Sequence, residues 1–321
     1  MVLCSARLLH GDARRLVTVA MLLAVLGSSA PADAQAVEPP NPHDAQPERP
    51  TVATHAHTVA PGWVELEAGF QRQKVGALSD RVAVPAVVKI GLGTRVQLNL
   101  APGWQRDAED GRIQSGITDM LAGVKWRLAD DVPLLGAFAV QTAVSLPTGS
   151  DDAGRGSGAA GVQLLAISSH EFGTVAVDAN AGYTRQGGDG TTVPQHSTLW
   201  AVAAGFPIAG RAGWAIEVFG FPGTSGPAGA PPVVGLLTGP SLAVRPCLVL
   251  DAGAIFDIQG FGATAIYGGV TWNIGRLWGA RSPRSPAARP QRLSRSPAGR
   301  RISVTVSPSG DRVERQRAGR P

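Results

Sequence analysis

Between Pro61 and Trp278 the chain reads as about twelve segments of roughly ten residues, each alternating apolar and polar, joined by links that are alternately long and short. Few folds tolerate this rhythm. In Trp63 to Gln71, Val64, Leu66, Ala68 and Phe70 share one face while Glu65, Glu67 and Gln71 share the other, a period of two that excludes an amphipathic helix. Polar stretches fall at 72–80, 105–115, 147–160, 185–197, 222–232 and 257–263, and tight connections between them at 91–94, 129–133, 171–173, 208–212 and 245–246. A chain that threads a membrane back and forth has this asymmetry, with short turns on the periplasmic side and long loops outside. The pattern therefore predicts an all-β fold, an antiparallel transmembrane β-barrel of about twelve strands.

Four regions follow. Residues 1–34 carry Arg7, Arg14 and Arg15 ahead of an apolar stretch from Leu16 to Leu26 and then small residues, which reads as a secretory signal peptide cleaved near Gln35. Arg14-Arg15 resembles a twin-arginine signal, but that route suits folded cargo, whereas a barrel must reach its membrane unfolded. Residues 35–60 form a Pro-rich leader, 61–278 the barrel and 279–321 an Arg/Ser/Pro-rich tail. Leader and tail lack the apolar periodicity that would offset the entropy of ordering them, so both are expected to be disordered.

The chain's net charge of +5 suggests a nucleic-acid binder until the charge is located. The tail holds eleven Arg against Asp311 and Glu314, so the barrel region is net acidic and no nucleic-acid partner is expected. Cys4 leaves with the signal peptide and Cys247 stands alone, which excludes an intramolecular disulfide in the mature chain. Lipid-facing sets are expected at alternate residues: Val82, Val84, Ala86, Val88 and Ile90; Met120, Ala122, Val124, Trp126 and Leu128; Ile266, Val270, Trp272 and Ile274. Trp63, Trp104, Trp126, Trp214 and Trp278, near strand ends, suit interfacial girdles.

Thr58 to Phe70 (TVAPGWVELEAGF), Ile90 to Leu98 (IGLGTRVQL), Ser115 to Leu128 (SGITDMLAGVKWRL), Ser145 to Ser150 (SLPTGS), Asn180 to Thr184 (NAGYT) and Tyr267 to Gly275 (YGGVTWNIG) stand in an ordered set. Together they resemble the transporter-like outer-membrane family named for the meta-pathway of phenol degradation. The chain departs from that family's pattern at the leader, with Val52-Ala53-Thr54-His55-Ala56-His57, and in continuing past the last strand. The resemblance implies a barrel in the outer membrane of a Gram-negative cell connected with passage of small organic compounds; the family's name does not make phenol the cargo.

Strand parity places Glu65, Glu67, Lys89, Arg95, Gln97, Asn99, Asp119, Lys125, Arg127, Gln141, Asp178, Asn180, Glu217, Asp251 and Asn273 on the lumen side. Both signs are present, so two readings stand: acids and bases that pair across strands and fill the interior, or residues that line a conducting path. Catalytic alternatives are weaker. Adjacent His196 and Ser197 point to opposite faces, while Ser168 and His170 share a face beside a turn whose only acid is Glu171. His43, His55 and His57 lack a fixed acid or Cys to complete a metal site, and Gly154 to Gly158 lacks the Lys and helix of a phosphate loop. The expected function is passive passage or uptake of small, hydrophobic or aromatic molecules, without cofactor or metal. Its partners are outer-membrane lipid, the barrel assembly machinery and an unidentified cargo. A lipid-processing barrel enzyme and a structural or adhesin-like barrel are the alternatives.

Overall fold

The computed structural model describes residues 41–49, 51–75, 79–109, 111–151, 154–260 and 262–278. The signal peptide, the first residues of the leader and the tail from residue 279 lie outside them. Fourteen strands follow in order: β1 (Trp63–Val75), β2 (Ser79–Gly91), β3 (Val96–Ala101), β4 (Gly103–Glu109), β5 (Arg112–Ile117), β6 (Met120–Val132), β7 (Gly136–Leu146), β8 (Gly161–Phe172), β9 (Val175–Gln186), β10 (His196–Ala209), β11 (Ala212–Phe221), β12 (Val233–Arg245), β13 (Leu248–Gln259) and β14 (Ala263–Arg276). Sequential neighbours pair antiparallel except β3 with β4 and β5 with β6, and β1 pairs with both β2 and β14, which closes the sheet on itself.

Two of the staves are broken. Pro102 cannot donate to a ladder, and there β3 gives way to β4; both run along β2. The partner stave breaks at 118–119, between β5 on β4 and β6 on β3. Counting each broken pair once gives the twelve-staved barrel that the alternation predicts. Closure leaves no unpaired edge in the lipid, where an unpaired backbone group costs several kcal/mol.

Three of the stretches expected as long outer loops are instead continuations of strands. β1 and β2 run on to Val75 and Ser79, β4 and β5 form a hairpin paired as far as Glu109 and Arg112, and β13 runs to Gln259. The polar residues there do not loop away because they pair across strands: Arg72 with Asp80 at 2.6 Å and Arg81 with Asp107 at 2.6 Å. The short ends match the expected turns. Side chains follow the parity, with Val84, Val124, Trp126, Leu250, Ile266, Trp272 and Ile274 exposed on the outside and Glu65, Lys89, Gln97, Lys125 and Glu217 fully buried inside.

Candidate functional site: the lumen and its occupant

The lumen is not empty. The leader, expected to be disordered, lies inside the barrel over its described residues, 41–49 and 51–60, and is held there at many points. It enters beside β14, where Asn273 Nδ2 donates to Pro42 O and His43 packs on Trp63 at 4.9 Å. The Ala45 N–H then meets the carbonyl of Pro246 in a short turn. Gln46 N–H donates to Glu65 Oε2 and Glu48 N–H to Glu67 Oε1, both at 2.7 Å. The segment crosses the lumen, so that the N–H groups of Val52 and Ala53 donate to the Glu217 carboxylate at 2.7 and 2.6 Å. Thr54 exchanges two hydrogen bonds with Asn180, Ala56 N–H donates to Ser169 Oγ, and Val59 N–H to Gln97 Oε1. The Gly62 N–H reaches Gly91 O at a short turn, and β1 begins.

The expectation of disorder fails for a physical reason. The leader has no apolar face of its own, but its backbone donors, which cannot stay unpaired when buried, find acceptors that the barrel supplies. Hydrogen bonds to charged acceptors contribute about 1.5–3 kcal/mol each, so the four N–H groups that meet Glu65, Glu67 and Glu217 offset part of the entropy of ordering the segment.

Charge fixes one side of this occupant. Lys89 Nζ lies 2.6 Å from Glu65, 2.7 Å from Glu67 and 3.8 Å from Glu48 of the leader, and also donates to Gln46 O. Lys125 Nζ pairs with Glu48 and donates to His55 O at 3.0 Å. From Glu48 a chain of amides continues through Gln97 and Asn99 to Gln141. A wall of ions buried in a low dielectric is tolerable only because each is compensated, and Glu48 supplies the charge that two strand lysines need. Arg49 presses its guanidinium against Gly69 and Gly269, which face each other across β1 and β14, and its Nη2 stands 3.8 Å from Asp251. A Cβ at Gly69 would fall 2.2 Å from that guanidinium, so the close approach requires glycine there.

Most of the parity set therefore meets the occupant or its network: Glu65, Glu67, Lys89, Gln97, Asn99, Lys125, Gln141, Asn180, Glu217, Asp251 and Asn273. Asp178 faces inward and accepts from Ser169 Oγ at 2.6 Å. Arg127 Nη1 lies 3.4 Å from His57 Nδ1. Two residues are placed differently. Arg95 stands at the short-turn rim, bonded to Leu128 O and paired with Asp130, because the turn at 92–95 carries it past the end of the wall. Asp119 sits in the stave break and accepts from Gly149 N, Ser157 N and Ser157 Oγ, fastening the 147–160 loop.

Ser168 Oγ donates to Leu135 O, His170 stacks on Phe172, and His196 bonds Tyr183, so none of these pairs forms a nucleophile and base. Among the described residues no group of three or more His, Cys, Asp or Glu could hold a metal ion. No helix among them is long and apolar enough to cross a membrane, which says nothing of strands.

The opposite side of the lumen carries, between its few polar residues, an apolar or small set missed in the sequence. Pairing puts Leu165, Leu199, Ala201, Phe219, Leu237, Ile255, Ala265 and Tyr267 on the inner face of β8 to β14. Leader Ala53 joins Ala201, Ala203, Phe219, Leu237 and Tyr267 in one buried cluster, a seal across the lumen. Its signal was in the same alternation, since inward positions of these strands carry few charges.

A closed antiparallel sheet with an apolar outer band, short turns at one end and a filled, partly polar interior defines an outer-membrane β-barrel. A family model described as "Putative MetA-pathway of phenol degradation" matches residues 50–257, and the chain belongs to that family. The fold is similar to that of an outer membrane channel from Pseudomonas putida F1, with a TM-score of 0.55 and 11% identity over 68% of this chain and 97% of that one. A monoaromatic hydrocarbon channel, CymD, is similar at a TM-score of 0.41 and 10% identity, covering 68% of this chain and 90% of that one. No curated protein matches the sequence.

Proposed function

We propose that the protein lets small apolar organic molecules, aromatic ones among them, cross the outer membrane passively, delivered there by a cleaved signal in residues 1–34. The observation that carries this reading is the apolar inner wall of Leu165, Leu199, Phe219, Leu237 and Ile255 on β8 to β13. A conduit for ions or sugars has no use for such a wall, because it offers nothing in exchange for their hydration. The buried ions of the other wall are paired and do not serve as an ion path. Membership of the family and the channel-like neighbours agree with this reading.

The test compares cells that carry the protein with cells that lack it. Entry of N-phenyl-1-naphthylamine, which fluoresces on reaching an apolar interior, should be faster with the protein, while the purified barrel in a planar bilayer should pass little current. Equal rates of entry, or a large unselective conductance, would overturn it.

A further inference from the structure

The leader fills the lumen unevenly. Against β1, β2, β3 and β6 it is clamped by ions and amides, yet on the other side a cavity of about 680 Å3 separates it from the wall at the short-turn end. Leader residues Asp44, Ala45, Pro47, Arg49 and Thr51 bound this cavity on one side. On the other, the inward positions of β9 to β12 include Ala176, Ala203, Gly205, Gly213, Ala215, Ser241 and Ala243, all small, with Asp178 and Pro207 the larger inward residues among them. A Cβ placed on Gly205 would meet no atom within 4 Å. Side chains of ordinary size on these strands would close the space, as they do at Phe219 and Leu237, each four residues further up its strand from Ala215 and Ser241.

We propose that this cavity is an exit vestibule, a second binding site for the transported molecule below the seal, and that the small inward residues of β9 to β12 set the width of the path beside the leader. The inference rests on the function proposed above. The site takes one uncharged, ring-sized apolar molecule. Its volume is in the range of small-molecule pockets, Ala and Gly leave methyl groups and backbone over much of its far wall, and Ser241 offers a hydroxyl to a single polar substituent. Charged cargo is disfavoured, because acids (Asp44, Asp178) and bases (Arg49, Arg211) border the same space. The route lies between the seal and the short turns, with Ala53 of the leader as the piece that separates vestibule from upper lumen.

Filling the vestibule tests this. Gly205→Trp and Ala215→Trp point into the cavity, whereas Val202→Trp, on the lipid face of the same strand, is the control for strand tolerance. N-phenyl-1-naphthylamine entry should fall with either inward variant to the level of cells lacking the protein, and stay at the wild-type rate with Val202→Trp. Heat-modifiable gel mobility should report a folded barrel in all three. Wild-type entry no faster than that of cells lacking the protein overturns the proposed function itself. Faster wild-type entry that survives both inward substitutions overturns the vestibule alone and sends the cargo out by another way. Should a tryptophan variant fail to fold, Ala215→Cys in a Cys247→Ala background carries the same test: a bulky maleimide added to the folded protein must stop entry, and full labelling without loss of entry overturns the proposal.

Discussion

One wall of this lumen, β1 to β3 with β6, is crowded with Glu65, Glu67, Lys89, Gln97 and Lys125; the facing wall, at the short-turn end of β9 to β12, offers mostly Ala, Gly and Ser. Both walls obey the same alternation, and both turn apolar residues to the lipid. They differ in what the inward positions demand. Buried ions must be compensated, so the charged wall binds the leader through Glu48 and through the carboxylates that take its N–H groups. Small residues demand nothing and leave room. The comparison teaches that parity tells which way a side chain points, while its charge and volume decide whether the space in front of it is filled.

The largest effect is expected where the two walls are joined. β14 pairs with β1 from Trp63 to Val75 and with β13 from Leu248 to Phe256. Ending the chain at Gly268 strips β1 of its partners from Gly69 down to Trp63, leaving backbone unpaired in lipid, and should abolish assembly as read by heat-modifiable mobility. Ending it at Trp278 instead should leave folding and outer-membrane location intact, since Arg276 is the last paired residue. A tail-deleted protein that accumulates in the periplasm would show that residues 279–321 share in assembly.

Next comes the charged wall itself. Lys89→Met leaves Glu65, Glu67 and Glu48 without the cation that stands within 2.6 to 3.8 Å of all three. Breaking such a buried set costs about 3–5 kcal/mol. The urea midpoint of the refolded barrel should drop steeply, or the protein should fail to fold. Ala243→Ser, on the small wall, should leave the midpoint where it is. Equal sensitivity of the two would erase the distinction between the walls.

What the sequence made legible follows this division. Strand number, the short turns and the faces of Val64 to Phe70 or of Ile266 to Ile274 came from a period of two, which lipid on one side and lumen on the other impose directly. The leader was illegible because residues 41–60 carry no periodicity and are held by side chains far along the chain, from Glu65, 19 residues beyond Gln46, to Glu217, 164 residues beyond Ala53. A trace was nonetheless present. Glu217 lies between Ala203 and Leu237 on the neighbouring strands, so no basic partner stands across from it, and a buried acid so placed implies an unseen donor. Arg95 and Asp119 were misplaced because parity holds only inside a stave; one sits in a turn, the other in a break. The small wall was missed because Ala and Gly are as silent in a hydropathy pattern as they are permissive in a lumen.

The smallest of the three effects probes the boundary that both walls share, the one between lumen and lipid. Val84 on β2 is exposed on the outer face, while its neighbour Ala83 turns inward opposite Gln71 and Gln105. An arginine in place of Val84 puts a cation into the apolar band, at about 2–4 kcal/mol if it lies near mid-depth. An arginine in place of Ala83 meets two amides and the polar upper lumen and should cost much less. Parity alone would make Gln97→Arg equally mild, but Gln97 is fully buried, accepts from Val59 N–H and links Glu48 to Asn99. Arginine there loses the acceptor, places a third cation beside Lys89 and Lys125, and should weaken the barrel as much as a lipid-facing charge does. Urea midpoints for the three variants should therefore rank Ala83→Arg highest, with Val84→Arg and Gln97→Arg both well below it. A Gln97→Arg protein as stable as Ala83→Arg would mean that the leader leaves the charged wall readily, and the clamp described here would have to be given up.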